Sequence, residues 1–193
     1  MRRLGFFGAA VLLVLAVAGP VSGAERVRES GTFSSFSSFS TTCSGNTCSD
    51  TILDVFSLDS DTVAVCVTEV TYNSRTGRET SYSSGCTETD ASVLSISSGF
   101  AVTLASTDVT LANCNQRRCV EGDTVTVAAS DTATGPIQTV TGRVTIRDGS
   151  CTTRISFRDQ SAEVAGTLTI DGTTLSEQGF ATISDQTATT ICR

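Results

Sequence analysis

Short runs of alternating apolar and polar residues cover the chain from Asp50 onward. The runs are rich in Val, Ile and Thr, and Gly, Asn and Asp separate them, which is the composition of β-strands joined by turns. No helical spacing of apolar residues occurs in this part of the sequence. The pattern predicts an all-β protein, either an antiparallel β-sandwich or a partly closed barrel, built from two weakly similar β-meander halves.

The clearest hairpin is predicted at Asp148-Gly149, a dipeptide preferred in type I′ turns. Pairing Arg147 with Ser150 directs the apolar side chains of both strands to one face, which is expected to point toward the core. The predicted partners are Ile146 with Cys151, Val144 with Thr153, Gly142 with Ile155, and Val140 with Phe157.

Two further turns continue the meander. A turn at Asp159-Gln160 gives a third strand with its apolar residues on the same face, and a turn at Asp171-Gly172 leads into the last strand. There the simple register points Glu177 inward and Phe180 outward, which conflicts with ordinary burial preferences. A β-bulge near Gly179 is therefore predicted to exchange the two faces.

The first half has the same plan in a less regular form. Valines occupy alternate positions of a strand over residues 63–72, and apolar residues also lie on its other face, so this strand is expected to be covered on both sides. Similar short segments recur in residues 43–114 and 114–192. We interpret them as two pseudo-repeats of one all-β domain, residues 43–193, with two small tandem domains as the alternative.

Two segments precede this domain. Residues 1–24 have the features of an export signal, because Arg2 and Arg3 precede an apolar stretch and small residues at 22–24 suit cleavage. An uncleaved membrane anchor is the alternative. Residues 25–42 are rich in Ser and Phe, and their three-residue Phe spacing fits neither a strand nor a long helix. They are expected to form an irregular segment that packs its rings on the domain, or a linker that docks on a partner.

Composition restricts the possible functions. Without residues 1–24 the chain has 11 Arg against 20 Asp and Glu, a net charge of −9. This acidic balance works against binding nucleic acid or anionic lipid. The absence of His and Lys excludes histidine-based, Schiff-base and Ser-Lys mechanisms. No later apolar stretch is long enough to cross a membrane, so the mature protein is expected to be secreted.

Eight cysteines in an exported chain predict up to four disulfide bonds. Zinc is disfavoured because the chain has no His and no Cys-x-x-Cys spacing. The preferred pairing joins Cys43 with Cys48, Cys66 with Cys86, Cys114 with Cys119, and Cys151 with Cys192. The internal similarity of the halves suggests an alternative bond between Cys86 and Cys114.

Carboxylates are the only candidate catalytic groups present in number. Asp59 and Asp61 flank Ser60 in a predicted turn, where acids are ordinarily solvated turn residues. A glycosidase would need a second acid across the scissile bond and aromatic platforms for sugar, and the chain has no Trp. Calcium at the same turn would lack the remaining oxygen ligands. No cofactor or metal is predicted.

Four arginines form the most specific candidate binding feature. Arg143, Arg147, Arg154 and Arg158 are predicted to point away from the core on neighbouring strands, with Arg143 directly across from Arg154. Such a stripe could hold a phosphate, sulfate or carboxylate of an anionic cell-envelope polymer. The alternative is pairing within the sheet, with Glu163 diagonal to Arg154 and Arg158.

A second basic spot lies between Cys114 and Cys119. Arg117 and Arg118 would project from a loop closed by that disulfide bond, as in a protease inhibitor that presents Arg to a trypsin-like pocket. A hydrophilic connector between the two halves is the alternative.

These observations favour a secreted, non-catalytic β-domain with a binding or structural role. An extracellular protein or an anionic cell-envelope polymer is the expected partner, and nucleic acid is not expected. A protease inhibitor acting through Arg117 or Arg118 and a carboxylate-dependent hydrolase are the alternative functions.

Overall fold

The computed structural model describes residues 25–115 and 118–192, so the predicted export signal lies outside the described residues. The all-β prediction is confirmed, since the only helical element in the described part is a single 3-10 turn at Ala91–Val93. The strands are β1 (Glu25–Ser44), β2 (Thr47–Ser57), β3 (Thr62–Asn73), β4 (Glu79–Asp90), β5 (Leu94–Ile96), β6 (Val102–Asn115), β7 (Arg118–Ala133), β8 (Gln138–Asp148), β9 (Cys151–Ile170) and β10 (Thr173–Cys192).

All strands belong to one antiparallel sheet whose pairing closes on itself. The path runs β1-β2-β3-β4-β6-β7-β9-β10 and returns from β10 to β1, with β5 paired to β6 and β8 paired to β9. The architecture therefore corresponds to the barrel alternative of the sequence prediction. At three places the ring pairs strands that are not neighbours in the chain, and we call these places joints: β1·β10, β7·β9 and β4·β6. The β4·β6 joint is short and consists of the residue pairs Tyr82↔Cys114, Ser83↔Asn113 and Ser84↔Ala112.

Four strand segments continue beyond the ring as a sheet of their own. We call this part the extension, and it consists of residues 25–34 of β1, 183–192 of β10, 151–160 of β9, and all of β8. It arises because β9 and β10 pair over their full twenty residues, whereas β7 contacts β9 only at residues 164–170. The other edge of β9 is occupied by β8 instead, and β8 is an edge strand.

The hydrophobic core fills the ring. Its largest fully buried side chains are Phe36, Phe100, Leu53, Leu104 and Leu168, surrounded by valines of β2, β3, β6 and β7. Burial alternates along the ring parts of β2, β6, β7 and β10, which is the pattern expected when one face of a sheet is packed and the other is solvated. The valines predicted at alternate positions of β3, Val63, Val65 and Val67, all lie in this core.

The turn predicted at Asp159-Gln160 is wrong. β9 continues straight through both residues, because it forms an unbroken ladder of pairs with β10 from Thr173↔Ile170 to Cys192↔Cys151. The turn predicted at Asp171-Gly172 is confirmed, and both residues have positive φ, 46° and 78°, as a type I′ turn requires. The expected three-stranded meander is therefore a hairpin of two long strands, to which β8 is added.

The β8–β9 hairpin also differs in register. Gly149 and Ser150 form its loop and Asp148 pairs with Cys151, so the predicted pairing is displaced by two residues. The observed register places the ring of Phe157 over Gly142, where a Cβ atom would lie only 2.2 Å from the ring. Because side chains alternate with a period of two, the displacement leaves every side chain on its predicted face.

That apolar face does not join the core. Val140 and Val144 are 59% and 46% exposed, because β8 lies in the extension rather than in the ring. The predicted inward orientation of these valines is therefore wrong, although the grouping of the apolar side chains on one face is right.

The bulge predicted near Gly179 is absent, and the register of β10 with β9 is continuous. Glu177 points into the ring and is 5% exposed, while Phe180 points outward and is 59% exposed. Gly179 is needed for a different reason, since a Cβ atom there would lie 2.0 Å from the carbonyl oxygen of Ser37 on β1. The glycine permits close approach of two backbones instead of a bulge.

Residues 25–42, expected to be irregular, form most of β1. Phe36 points into the core and is 1% exposed, whereas Phe39 lies on the outer surface and is 45% exposed. A spacing of three places successive rings on opposite faces of a strand, which explains why the pattern resembled neither strand nor helix.

Four disulfide bonds are present, and each joins two residues that are direct partners in the sheet. They follow the preferred pairing, so the alternative bond between Cys86 and Cys114 is wrong. The bonds are Cys43–Cys48, Cys66–Cys86, Cys114–Cys119 and Cys151–Cys192.

Candidate anion-binding face and a buried carboxylate pair

One face of the extension collects most of the positive charge of the described chain. We call it the arginine face, and its six exposed arginines come from three strands. The register places them in four successive rows across the sheet, which are Thr32-Asp185-Arg158-Thr141, Ser30-Thr187-Ser156-Arg143, Arg28-Thr189-Arg154-Thr145 and Arg26-Ile191-Thr152-Arg147.

Sequence reasoning found four of these arginines and missed Arg26 and Arg28. The two were missed because residues 25–42 were not expected to be a strand, and only the β1·β10 pairing brings them onto the same sheet face as the arginines of β9, with β10 between. Their alternation with the apolar Val27 is the signal that could have identified them.

Contrary to the prediction, Arg143 and Arg154 are not directly opposite each other. Arg143 pairs with Ser156, and Arg154 pairs with Thr145, so the two arginines are diagonal rather than directly opposite. Each successive arginine along β8 and β9 is displaced by one row, in the order Arg158, Arg143, Arg154, Arg147. Their Cα atoms are therefore roughly 8 Å apart from one to the next, given the usual strand spacing and rise.

Glu163 does not neutralise these arginines. It pairs with Phe180 on the outer surface of the ring, whereas Arg154 and Arg158 lie on the opposite face of β9. Among the sixteen described positions of the arginine face the only acid is Asp185, directly across from Arg158. Its carboxylate accepts a hydrogen bond from the Thr32 hydroxyl at 2.8 Å. The face therefore carries a local excess of five positive charges on an acidic protein.

A different polar cluster lies inside the ring, and the sequence interpretation missed it. Asp131 of β7 and Glu177 of β10 are 2% and 5% exposed, and both pair with Gly166 of β9 between them. The glycine leaves the space over which the two carboxyl groups face each other, because a Cβ atom there would lie 2.8 Å from Asp131 Oδ1. The hydroxyl of Ser38 on β1 donates a hydrogen bond to Glu177 Oε2.

The surroundings of the two acids disfavour their ionised forms. Asp131 Oδ1 and Oδ2 and Glu177 Oε1 are buried without a hydrogen-bond donor, which is costly for ionised carboxylates. Burial is the main cause that raises the pKa of Glu177 to about 8, and the neighbouring Asp131 carboxylate raises this pKa further. Burial also raises the pKa of Asp131. Both shifts favour a state in which the pair holds a proton near neutral pH.

This pair is not placed for chemistry on a substrate. Two depressions of the described surface are lined by other residues, one at the β3–β4 connection and one between Ser30–Thr32 and Asp185–Thr187. Asp131 and Glu177 lie in the packed interior instead, so a substrate group could not reach their shared proton without opening of the ring.

The candidate turn acids do not converge on a site. The Asp59 carboxylate accepts hydrogen bonds from the backbone N–H groups of Asp61 and Thr62, at 2.8 and 2.7 Å. The hydrogen bond from Asp61 is the main cause of its lowered pKa. Asp59 thus closes the β2–β3 turn. Within residues 25–115 and 118–192 no group of three or more His, Cys, Asp or Glu side chains could hold a metal ion.

The tip of the predicted inhibitor loop is not among the described residues. Arg117 and the side chain of Arg118 lie outside the described residues, although the Cys114–Cys119 bond that would close the loop is present. A protease-inhibitor function therefore stays a prediction.

Comparisons with known proteins add little to this description. Neither the family models nor the curated proteins contain a match to this chain. A solved structure described as "a putative AttH", from Nitrosomonas europaea, aligns with 11% identity and a TM-score of 0.29. The alignment covers 80% of this chain and 50% of that one, so this chain spans about half of that protein's length. In the described part of the chain, no helix has the length and apolar character needed to cross a bilayer.

Proposed function

We propose that this protein is a secreted, non-catalytic binding module that binds anionic extracellular ligands on the arginine face. The observation that supports the proposal is the concentration of six exposed arginines and one acid on a single sheet face. Arginine guanidinium groups are suited to phosphate, sulfate and carboxylate, and repeated like charges on one surface are costly unless a ligand neutralises them.

The rest of the molecule is consistent with a binding role. The extension is a two-faced sheet held at its far end by the Cys151–Cys192 bond and at its base by the ring. Functional groups on such regular strands are held more precisely than groups on loops. The disulfide bonds also suit a protein that works outside the cell.

The test compares two double variants of equal charge. Arg143→Gln with Arg154→Gln removes two central arginines of the face, and Arg75→Gln with Arg78→Gln removes two exposed arginines of the β3–β4 connection. Binding of fluorescent dextran sulfate to each purified protein is measured by anisotropy at fixed salt. The first variant is expected to lose affinity by about tenfold or more while the second changes little. Equal losses in both variants, or no binding by the unmodified protein, would reject the proposal.

A further inference from the structure

We infer that the ligand of the arginine face is a linear anionic polysaccharide that lies extended along β8 and β9. The inference rests on the proposed function and adds the shape, direction and chemical class of what is bound. It follows from how the arginines are distributed over the rows, from the position of Asp185, and from the residues between the charges.

Every row of the face contributes an arginine. Along β8 and β9 the order is Arg158, Arg143, Arg154 and Arg147, one to a row and alternating between the two strands. The four rows span six residues of strand, roughly 20 Å. A compact anion cannot contact all four arginines, because the first and the last Cα atoms are roughly 20 Å apart. A chain with repeated charges can contact all four.

The direction of the chain is set by the remaining charges. Across the sheet from Arg158 the next position is Asp185, which repels an anion running toward β1. Arg28 and Arg26 add charge to the last two rows only, from β1, which is two strands away from Arg154 and three strands away from Arg147. Positive charge is therefore continuous along β8 and β9 and interrupted across the strands. All eight positions of β8 and β9 on this path are exposed except Thr152, which is half-buried.

The residues between the arginines favour a polysaccharide over a nucleic acid. Of the sixteen described positions on the face, eight are Ser or Thr and none is aromatic. Hydroxyl groups can exchange hydrogen bonds with sugar hydroxyls. Proteins that bind single-stranded nucleic acid combine basic grooves with aromatic platforms for the bases, which this face lacks.

The experiment uses a length series of sulfated glucan oligosaccharides with constant sulfation per sugar, titrated against the full mature protein. Affinity is expected to rise with length until the chain spans roughly 20 Å and then to level off. For chains beyond that length, log affinity should fall with log salt with a slope of about three in magnitude, for four neutralised charges.

Variants at the two ends of the path provide the specific test. Arg158→Gln and Arg147→Gln should each lower affinity for the long oligosaccharide by about tenfold and leave the affinity for a sulfated disaccharide within about twofold. Arg75→Gln serves as the control for loss of one charge. A single-stranded DNA oligomer of matching length should bind more weakly than the long oligosaccharide.

The outcomes separate the two proposals. Affinity independent of chain length, with a salt slope near one, would mean that the face binds a single anion, which overturns the extended mode and leaves the proposed function intact. Tighter binding of DNA would overturn the polysaccharide assignment. Failure of Arg143→Gln with Arg154→Gln to affect any of these ligands would overturn both.

Discussion

Asp131 and Glu177 face each other inside the ring across Gly166, and the Ser38 hydroxyl donates a hydrogen bond to the Glu177 carboxyl group. The four residues come from β7, β10, β9 and β1. The Ser38–Glu177 hydrogen bond crosses the ring joint β1·β10, and Asp131 and Glu177 face each other from the two strands that flank β9. A proton held by this pair would remove the repulsion between two buried carboxylates where the strands of the ring meet.

Stability is expected to fall as pH rises from about 4.5 to about 8. The pKa of Glu177 is raised from 4.5 to about 8, so in this range the unfolded chain releases a proton that the folded protein keeps. Because the folded state binds more protons, the free energy of unfolding decreases as pH rises. The unfolding equilibrium constant increases by at most about tenfold per pH unit. The contribution is fully present below pH 4.5 and lost above pH 8.

Urea denaturation of Glu177→Gln across this pH range measures the contribution. The glutamine amide can still donate to Asp131 but cannot ionise, so the decrease in stability between about pH 4.5 and 8 should be smaller than in the unmodified protein. Glu163→Gln, an exposed acid on the outer surface, is the control and should keep the original pH dependence. The same pH dependence in all three proteins would contradict the shared proton.

Gly166→Ala should destabilise the protein by about 1–3 kcal/mol or more. A Cβ atom at this position would lie 2.1 Å from the carbonyl oxygen of Ser130 and 2.7 Å from the Cα atom of Asp131, so the backbones must separate. At Gly99 the nearest atom would be 3.9 Å away, and Gly99→Ala should change stability by less than about 0.5 kcal/mol. Chemical denaturation of both variants makes the comparison, and equal effects would show that Gly166 is not tightly packed.

Removal of the Cys151–Cys192 bond should cost more stability than removal of Cys43–Cys48. The first closes a separation of 41 residues and the second a separation of 5. By the loop-entropy relation these correspond to about 4 and about 2 kcal/mol. The paired Cys→Ala variants are compared by denaturation under oxidising conditions. A larger loss for the short loop would indicate that the bonds act mainly through the native state.

Phe36 and Phe39 should respond very differently to replacement by Ala. Phe36 is 1% exposed in the core and its loss should cost about 3–5 kcal/mol, whereas Phe39 is 45% exposed and its loss should cost less than about 1 kcal/mol. Thermal or urea unfolding of the two variants checks this. Similar costs would contradict the assignment of residues 25–44 to a strand with alternating faces.

Much of the local structure followed from the sequence by itself. Turn chemistry at Asp171-Gly172 and alternation in β3 and β8 were predicted correctly, and the preferred disulfide pairing is confirmed. The four arginines kept their common face even though the predicted hairpin register was displaced, because a two-residue displacement preserves the alternation of side chains. Local rules of this kind depend only on neighbouring residues, so sequence alone determines them.

Only the tertiary structure decided which of those faces became the inside of the protein. The closing of β1 onto β10 placed residues 25–42 in the sheet and added Arg26 and Arg28 to the arginine face. Because β7 pairs with β9 only at residues 164–170, β8 pairs with the rest of that edge in the extension, and its valines are exposed. The same joints buried Glu177 against Asp131, whereas the bulge predicted near Gly179 would have turned Glu177 outward. These outcomes depend on pairing between strands far apart in the chain, and no local pattern records which distant strand will be the partner.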